Sequence, residues 1–245
     1  MKRRSSLRGI ISTNATGLAA TLLLLAALGG CRGRTQSPEP GAAPGSVGAP
    51  LAVPSAVATP SDDRPVILFV GTSLTAGYGV DPGEAFPALV QEKLDAAGLR
   101  FRVVNAGVSG ETSAGARRRI DWLLRQPVAV LVLETGANDA LRGQDPQATR
   151  ENIRAILDAA RRVKPPPKLA LVAMESLPNY GEEYGRRFRA IYPELAKQSG
   201  ATLVPFLLRG VAGDPRLNQP DGIHPTAEGH RRVTETVWRT LRPIL

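Results

Sequence analysis

Five short apolar runs, each followed by a longer stretch with apolar residues three and four apart, constrain this chain more than any other feature. The runs are VILFV (66–70), RFRVVN (100–105), VAVLVLE (128–134), KLALVAM (168–174) and ATLVPF (201–206). They are rich in Val and Leu and apolar on both faces, as strands of a sheet covered on both sides must be. Between them, EAFPALVQEKLDAAG, SAGARRRIDWLLRQ, DPQATRENIRAILDAARRV and YGRRFRAIYPELAKQSG read as helices, and TAEGHRRVTETVWRTLRPIL closes the chain. Pro146 stands just inside an Asp145 cap, and Gly98 and Gly200 follow two of the helices, as helix starts and stops commonly require. The alternation predicts an α/β fold: a three-layer sandwich around a five-stranded parallel sheet with right-handed crossovers. Chemistry on such a fold belongs to the loops at the carboxyl ends of the strands.

The strands begin late, and what precedes them has a different character. Lys2, Arg3, Arg4 and Arg8 open the chain without an acid, and GLAATLLLLAALGG follows. That apolar core is short for a membrane span and suits a secretory signal over residues 1–30. The sole cysteine, Cys31, comes directly after LGG, and this arrangement resembles the lipobox of bacterial lipoprotein signal peptides. The resemblance implies lipidation of Cys31 as the first mature residue; an ordinary signal peptide or an uncleaved anchor is the alternative. Residues 31–64 mix Pro, Gly, Ala and Ser without period and are expected to stay an extended tether, leaving 65–245 as the domain. A protein so built would sit in the bacterial cell envelope, held to a membrane through Cys31. One cysteine leaves no internal disulfide to form.

The formal charge of +9 invites a nucleic-acid partner, but its distribution does not support one. Four of the charges lie in the leader, the tether is balanced, and the domain keeps +5. The densest basic run, ARRRIDWLLR, is interrupted by apolar residues at helical spacing and reads as one solvated helix face. No nucleic-acid partner is expected. No cluster has metal-ligand spacing and GTSLTAGYG lacks a phosphate-binding pattern, so neither a metal nor a cofactor is expected.

Four of the strand-end loops carry polar residues of a particular kind. GTSLTAG follows the first strand, NAGVSGETS the second, ETGANDALRG the third and DGIHP the fifth. A serine hydroxyl becomes a useful nucleophile only when an imidazole takes its proton, and the imidazole needs a carboxylate to fix its tautomer. The oxyanion that forms needs donors already aimed at it. The loops offer Ser73, an Asp221–His224 pair three residues apart, a glycine at 107 with a second glycine nearby, and the amide of Asn138.

Collinear Ser, Gly, Asn and His blocks from about Val66 to His230 resemble the SGNH (GDSL-type) hydrolase family. SLTAGYG, SGETS, GANDALRG, NYGEEYGRRFRAIYPELA and DGIHP are most similar to its secreted multifunctional acyl-CoA thioesterase/lysophospholipase/arylesterase branch. The resemblance implies a flavodoxin-like sheet and a serine esterase acting on carboxylic ester or thioester bonds through an acyl-enzyme, on a small-molecule or lipid ester. It implies Ser73 as nucleophile, His224 as base and Asp221 as its carboxylate, with Ser73, Gly107 and Asn138 forming the oxyanion hole. Leu177 and Tyr180 become candidates to line an acyl pocket, or else pack a loop, and a monomer is expected. Asp139 reads as a helix cap or local structural carboxylate.

One residue departs from the family pattern. Thr72 stands where the family's first block usually carries Asp, which leaves the triad intact and puts the positioning of the nucleophile turn in question. Two other functions fit the same residues: an acetyl-ester hydrolase or transferase on envelope polysaccharide, and a tethered binding module without catalysis.

Overall fold

A computed structural model of the protein describes residues 62–245; the leader, Cys31 and the tether as far as residue 61 lie outside the described residues. The last residues assigned to the tether already touch the domain, Arg64 pairing with Asp62 at 2.8 Å and donating to Phe101 O at 3.4 Å. The sheet consists of β1 (Val66–Gly71), β2 (Arg102–Gly107), β3 (Val130–Glu134), β4 (Lys168–Val172) and β5 (Thr202–Val204). All pairings are parallel and the order is β2-β1-β3-β4-β5, the flavodoxin-like arrangement.

The both-faced apolar pattern has its reason in this order. β1 and β3 are interior strands and every one of their residues is buried. The helices α3 (Ser113–Leu123), α5 (Pro146–Arg162) and α6 (Gly181–Ser199) pack side by side, while α2 (Phe86–Ala96) packs against α7 (Ala227–Leu241), so both faces of the sheet are covered. Phe69 of β1 meets Phe86 of α2 edge to face at 5.6 Å between ring centroids. Fully burying such a side chain stabilises the fold by roughly 1.5–3 kcal/mol. On α6, Tyr192 is buried and donates its hydroxyl to Thr135 O at 2.9 Å, fixing the backbone just past β3.

The structure departs from the sequence pattern at particular places. β5 ends at Val204, because Pro205 has no amide to continue the ladder. α6 starts at Gly181 rather than Tyr184. Two short helices, α1 (Ser73–Ala76) and α4 (Ala137–Leu141), fill what read as loops. β2 runs on to Gly107, in register with Gly71, so Gly107 is a strand residue rather than a loop residue. The carboxyl ends of β2, β1 and β3 thus stand side by side, with the order reversing between β1 and β3.

Candidate active site

Ser73 is the first residue of α1, mounted directly on the end of β1 through Gly71 and Thr72. Thr72 caps the helix, its hydroxyl accepting from Leu74 N at 3.4 Å. A first-turn amide has no acceptor within its own helix, so the N–H of Ser73 is not used by α1.

The imidazole comes from the loop before α7. Asp221 Oδ1 accepts from Ile223 N at 2.9 Å and His224 N at 3.0 Å, which folds the DGIH turn back on its own carboxylate. Asp221 Oδ2 stands 2.7 Å from His224 Nδ1, and His224 Nε2 stands 2.9 Å from Ser73 Oγ. With Nδ1–H donating to the carboxylate, Nε2 is left to accept the serine proton. The two bonds from His224 and the amide of Ile223 hold the Asp221 carboxyl down at about 2, well below the usual range. The ring of Tyr78 lies against the imidazole with centroids 4.6 Å apart.

Asn138 sits in α4 and donates its side-chain amide to Glu111 O at 3.0 Å. That carbonyl is fixed in turn, because Arg119 grips the Glu111 carboxylate with two bonds of 2.7 and 2.6 Å and donates to Ala106 O at 2.7 Å. One N–H of Asn138 is so engaged, and among the described residues the other has no partner.

Gly107 is placed differently from its expected role. Its N–H donates to Asn105 Oδ1 at 2.9 Å, and is therefore not free for an oxyanion. A Cβ at this position would lie 2.3 Å from Ala76 N, so glycine is needed for β2 to pass the backbone of α1. Gly110, three residues on, has φ +77° and adjoins Glu111, the residue that holds Asn138. Its signal was the second glycine of NAGVSGETS.

Leu177 lines a cavity of about 220 Å³ together with Leu74, Leu141, Met174, Phe206 and Ile223. Leu74 follows Ser73 and Ile223 precedes His224, so the cavity borders both Ser73 and His224. Tyr180 is not part of its wall; its hydroxyl donates to Leu141 O at 3.1 Å and its ring packs over Gly143. Asp139 is buried and accepts from Ser113 N at 2.8 Å and Thr149 Oγ1 at 3.3 Å, which ties α4 to α3 and α5.

Besides Gly110, two residues at the site escaped the sequence reading. Glu134, the last residue of β3, is a carboxyl buried beside Thr72, and its signal was the one acid ending an apolar run. Gln219, in the loop of His224, donates its side-chain amide to Tyr78 O in the loop after Ser73, and nothing in the sequence marks it.

The chain matches the model of the GDSL-like Lipase/Acylhydrolase family over residues 69–232. The protein named Esterase TesA from Pseudomonas aeruginosa is 40% identical over 180 residues, covering 73% of this chain and 89% of that one. The Escherichia coli protein named Thioesterase 1/protease 1/lysophospholipase L1 is 38% identical over 181 residues, covering 73% and 84%. A crystal structure of TesA aligns with a TM-score of 0.70 at 40% identity, over 74% of this chain and 99% of that chain.

Proposed function

Because the chain belongs to the GDSL-like lipase/acylhydrolase family, we propose that it is a serine esterase cleaving carboxylic ester or thioester bonds through an acyl-enzyme. The observation that carries this is the unbroken relay from Ser73 Oγ to His224 Nε2 and from His224 Nδ1 to Asp221, at 2.9 and 2.7 Å. Ser73 Oγ attacks the acyl carbonyl carbon as His224 Nε2 takes its proton. His224 returns that proton to the leaving alkoxide or thiolate as the tetrahedral intermediate collapses. A water then attacks the acyl-serine with the same imidazole as base, and the acid is released with Ser73 restored.

The oxyanion donors in this reading are the amide of Ser73, the free N–H of Asn138 and the amide of Gly110, which replaces that of Gly107. Removing one such donor lowers kcat by about 10²–10³-fold in comparable sites. The apolar cavity against Leu74 and Ile223 supports an acyl chain rather than an acetyl group as the part of the substrate that is recognised. An intact relay also argues against a binding module that has lost its chemistry.

For the rest of the chain the reading is a lipoprotein leader over 1–30, lipidation at Cys31 and a tether to the domain, which places the enzyme in the cell envelope with access to lipid esters. The support is the sequence LGGC and the unpatterned segment after it. Among the described residues no helix is long and apolar enough to cross a membrane.

The test compares wild type with Ser73→Ala on short-chain aryl esters, alongside labelling by a fluorophosphonate probe. Wild type should hydrolyse and label, and the variant should do neither. Full activity in Ser73→Ala, with no labelling of wild type, would sink the reading.

A further inference from the structure

The nucleophile turn is a single helical turn of four residues, too short to hold its own geometry. What holds it lies underneath. Glu134 at the end of β3 is 1% exposed, and its carboxyl takes hydrogen bonds from residues on both sides of Ser73. Oε2 accepts from Thr72 N at 2.8 Å, from Thr72 Oγ1 at 3.0 Å and from Thr75 Oγ1 at 2.8 Å, while Oε1 stands 3.1 Å from Thr72 Oγ1. Among the described residues the partners are one amide and two hydroxyls, with no cation.

A second observation shows that the chain makes room for this arrangement. A Cβ on Gly71 would lie 2.0 Å from Thr75 Oγ1 and 2.6 Å from Glu134 Oε2. The glycine that ends β1 is therefore required by the clamp that passes beside it. Thr72 acquires a role from the same geometry. Its hydroxyl is a donor aimed at Glu134, where an aspartate would set a second carboxyl against the first.

Resting on the reading of Ser73 as nucleophile, we propose that Glu134 is a positioning residue, clamping Thr72 and Thr75 so that Ser73 is held in line with His224. It touches no substrate. It acts across the point where the strand order reverses, fixing α1 on β1 to the neighbouring strand β3. A nucleophile displaced by 1 Å loses about 10²-fold in rate, so a clamp of this kind is read in turnover rather than in substrate affinity.

The experiment uses the full chain with Glu134→Ala and Glu134→Gln. In Glu134→Ala, kcat on an aryl ester should fall about 10²-fold with KM little changed, and fluorophosphonate labelling should slow in step. Glu134→Gln keeps an acceptor oxygen for Thr72 N and Thr75 Oγ1 and should recover about tenfold of the loss. A folded Glu134→Ala that labels and turns over like wild type would overturn the proposal, as would a loss confined to KM. Should Glu134→Ala fail to fold, Thr75→Val removes one donor with little change of shape and should slow labelling about tenfold; an unchanged rate overturns the clamp. A wild type that neither hydrolyses nor labels counts against the esterase reading alone. The clamp is then judged by a crystal structure of Thr75→Val, with Ser73 Oγ moved beyond about 3.5 Å from His224 Nε2 if the clamp acts, and still at 2.9 Å if it does not.

Discussion

Gln219 Nε2 donates to Tyr78 O at 2.7 Å, joining the loop that carries His224 to the loop that follows Ser73. The same nitrogen donates to Pro225 O at 2.9 Å, and the backbone N–H of Gln219 donates to His224 O at 2.7 Å. One side chain thus spans the two segments whose separation sets the serine–imidazole distance. Gln219→Ala should lower kcat by about tenfold at near-constant KM, through a looser Ser73–His224 contact rather than lost substrate binding. Steady-state kinetics on an aryl ester check this, and an unchanged kcat would remove Gln219 from the positioning of the site.

Asp221 sets what the pH profile reports. Its carboxyl, lowered to about 2 by its bonds from the His224 amide, the imidazole and the Ile223 amide, is ionised throughout the range in which the protein would be assayed. Loss of kcat/KM on acidification from pH 8 to 5 therefore does not come from protonation of the Asp221 carboxyl. Asp221→Asn should reduce kcat by about 10²–10⁴-fold while leaving the fold intact. Wild-type kcat in Asp221→Asn on an aryl ester would count against Asp221 as the carboxylate of the relay.

Gly107 yields a prediction through packing rather than chemistry. In Gly107→Ala the new methyl meets the backbone of α1 at Ala76, which has no flexible side chain to move aside. Overpacking of this kind destabilises by about 1–3 kcal/mol, and here it also pushes on the helix that bears Ser73. Thermal melting should show the loss of stability, and kcat should fall with it. A variant with wild-type melting and activity would mean that β2 has more freedom at its end than the structure shows.

How much of this was legible before folding depends on what each residue interacts with. The sheet was legible because burial on both faces leaves a mark in composition: Val66 to Val70 and Val130 to Leu133 are apolar at every position. The blocks carrying Ser73, Asn138, Asp221 and His224 were legible because each ends a strand or opens a turn with a residue type that chemistry restricts. The fine placement was not. Four residues from Ser73 to Ala76 cannot show a helical period, so α1 read as a turn. Gly107 read as a loop residue because the pairing that extends β2 is a property of its neighbour β1. The bond from Gly107 N to Asn105 is likewise a tertiary fact, as is the span of Gln219, whose partner lies 141 residues away.

His230 makes stability depend on pH independently of catalysis. It is 1% exposed within α7, its Nδ1 accepts from Phe86 N at 3.3 Å, and burial pushes its pKa from 6.5 down to about 4, with the nearby His224 adding to the shift. The unfolded chain binds a proton near 6.5 and the folded chain only near 4. Stability is thus full above 6.5 and declines as pH falls from 6.5 towards 4, by on the order of 3 kcal/mol over that span. Chemical denaturation at pH 7 and at pH 4.5 should show a larger drop for wild type than for His230→Gln. Equal drops would place the acid sensitivity elsewhere.

Thr72→Asp restores the residue common in the family and brings a second carboxyl against Glu134. Burial alone already raises the Glu134 pKa, despite the bonds from Thr72 and Thr75 that oppose the rise. Two carboxyls in contact can share one proton, but ionising both places like charges in an enclosed site, so the higher pKa of the pair rises further. A raised folded-state pKa means that stability is present at low pH and lost as pH climbs through it. The melting temperature of Thr72→Asp should therefore fall progressively below that of wild type as pH rises, by most where both groups are charged. A gap that stays constant with pH would show that the introduced carboxyl turns away from Glu134 and that the hydroxyl of Thr72 is not what completes the clamp.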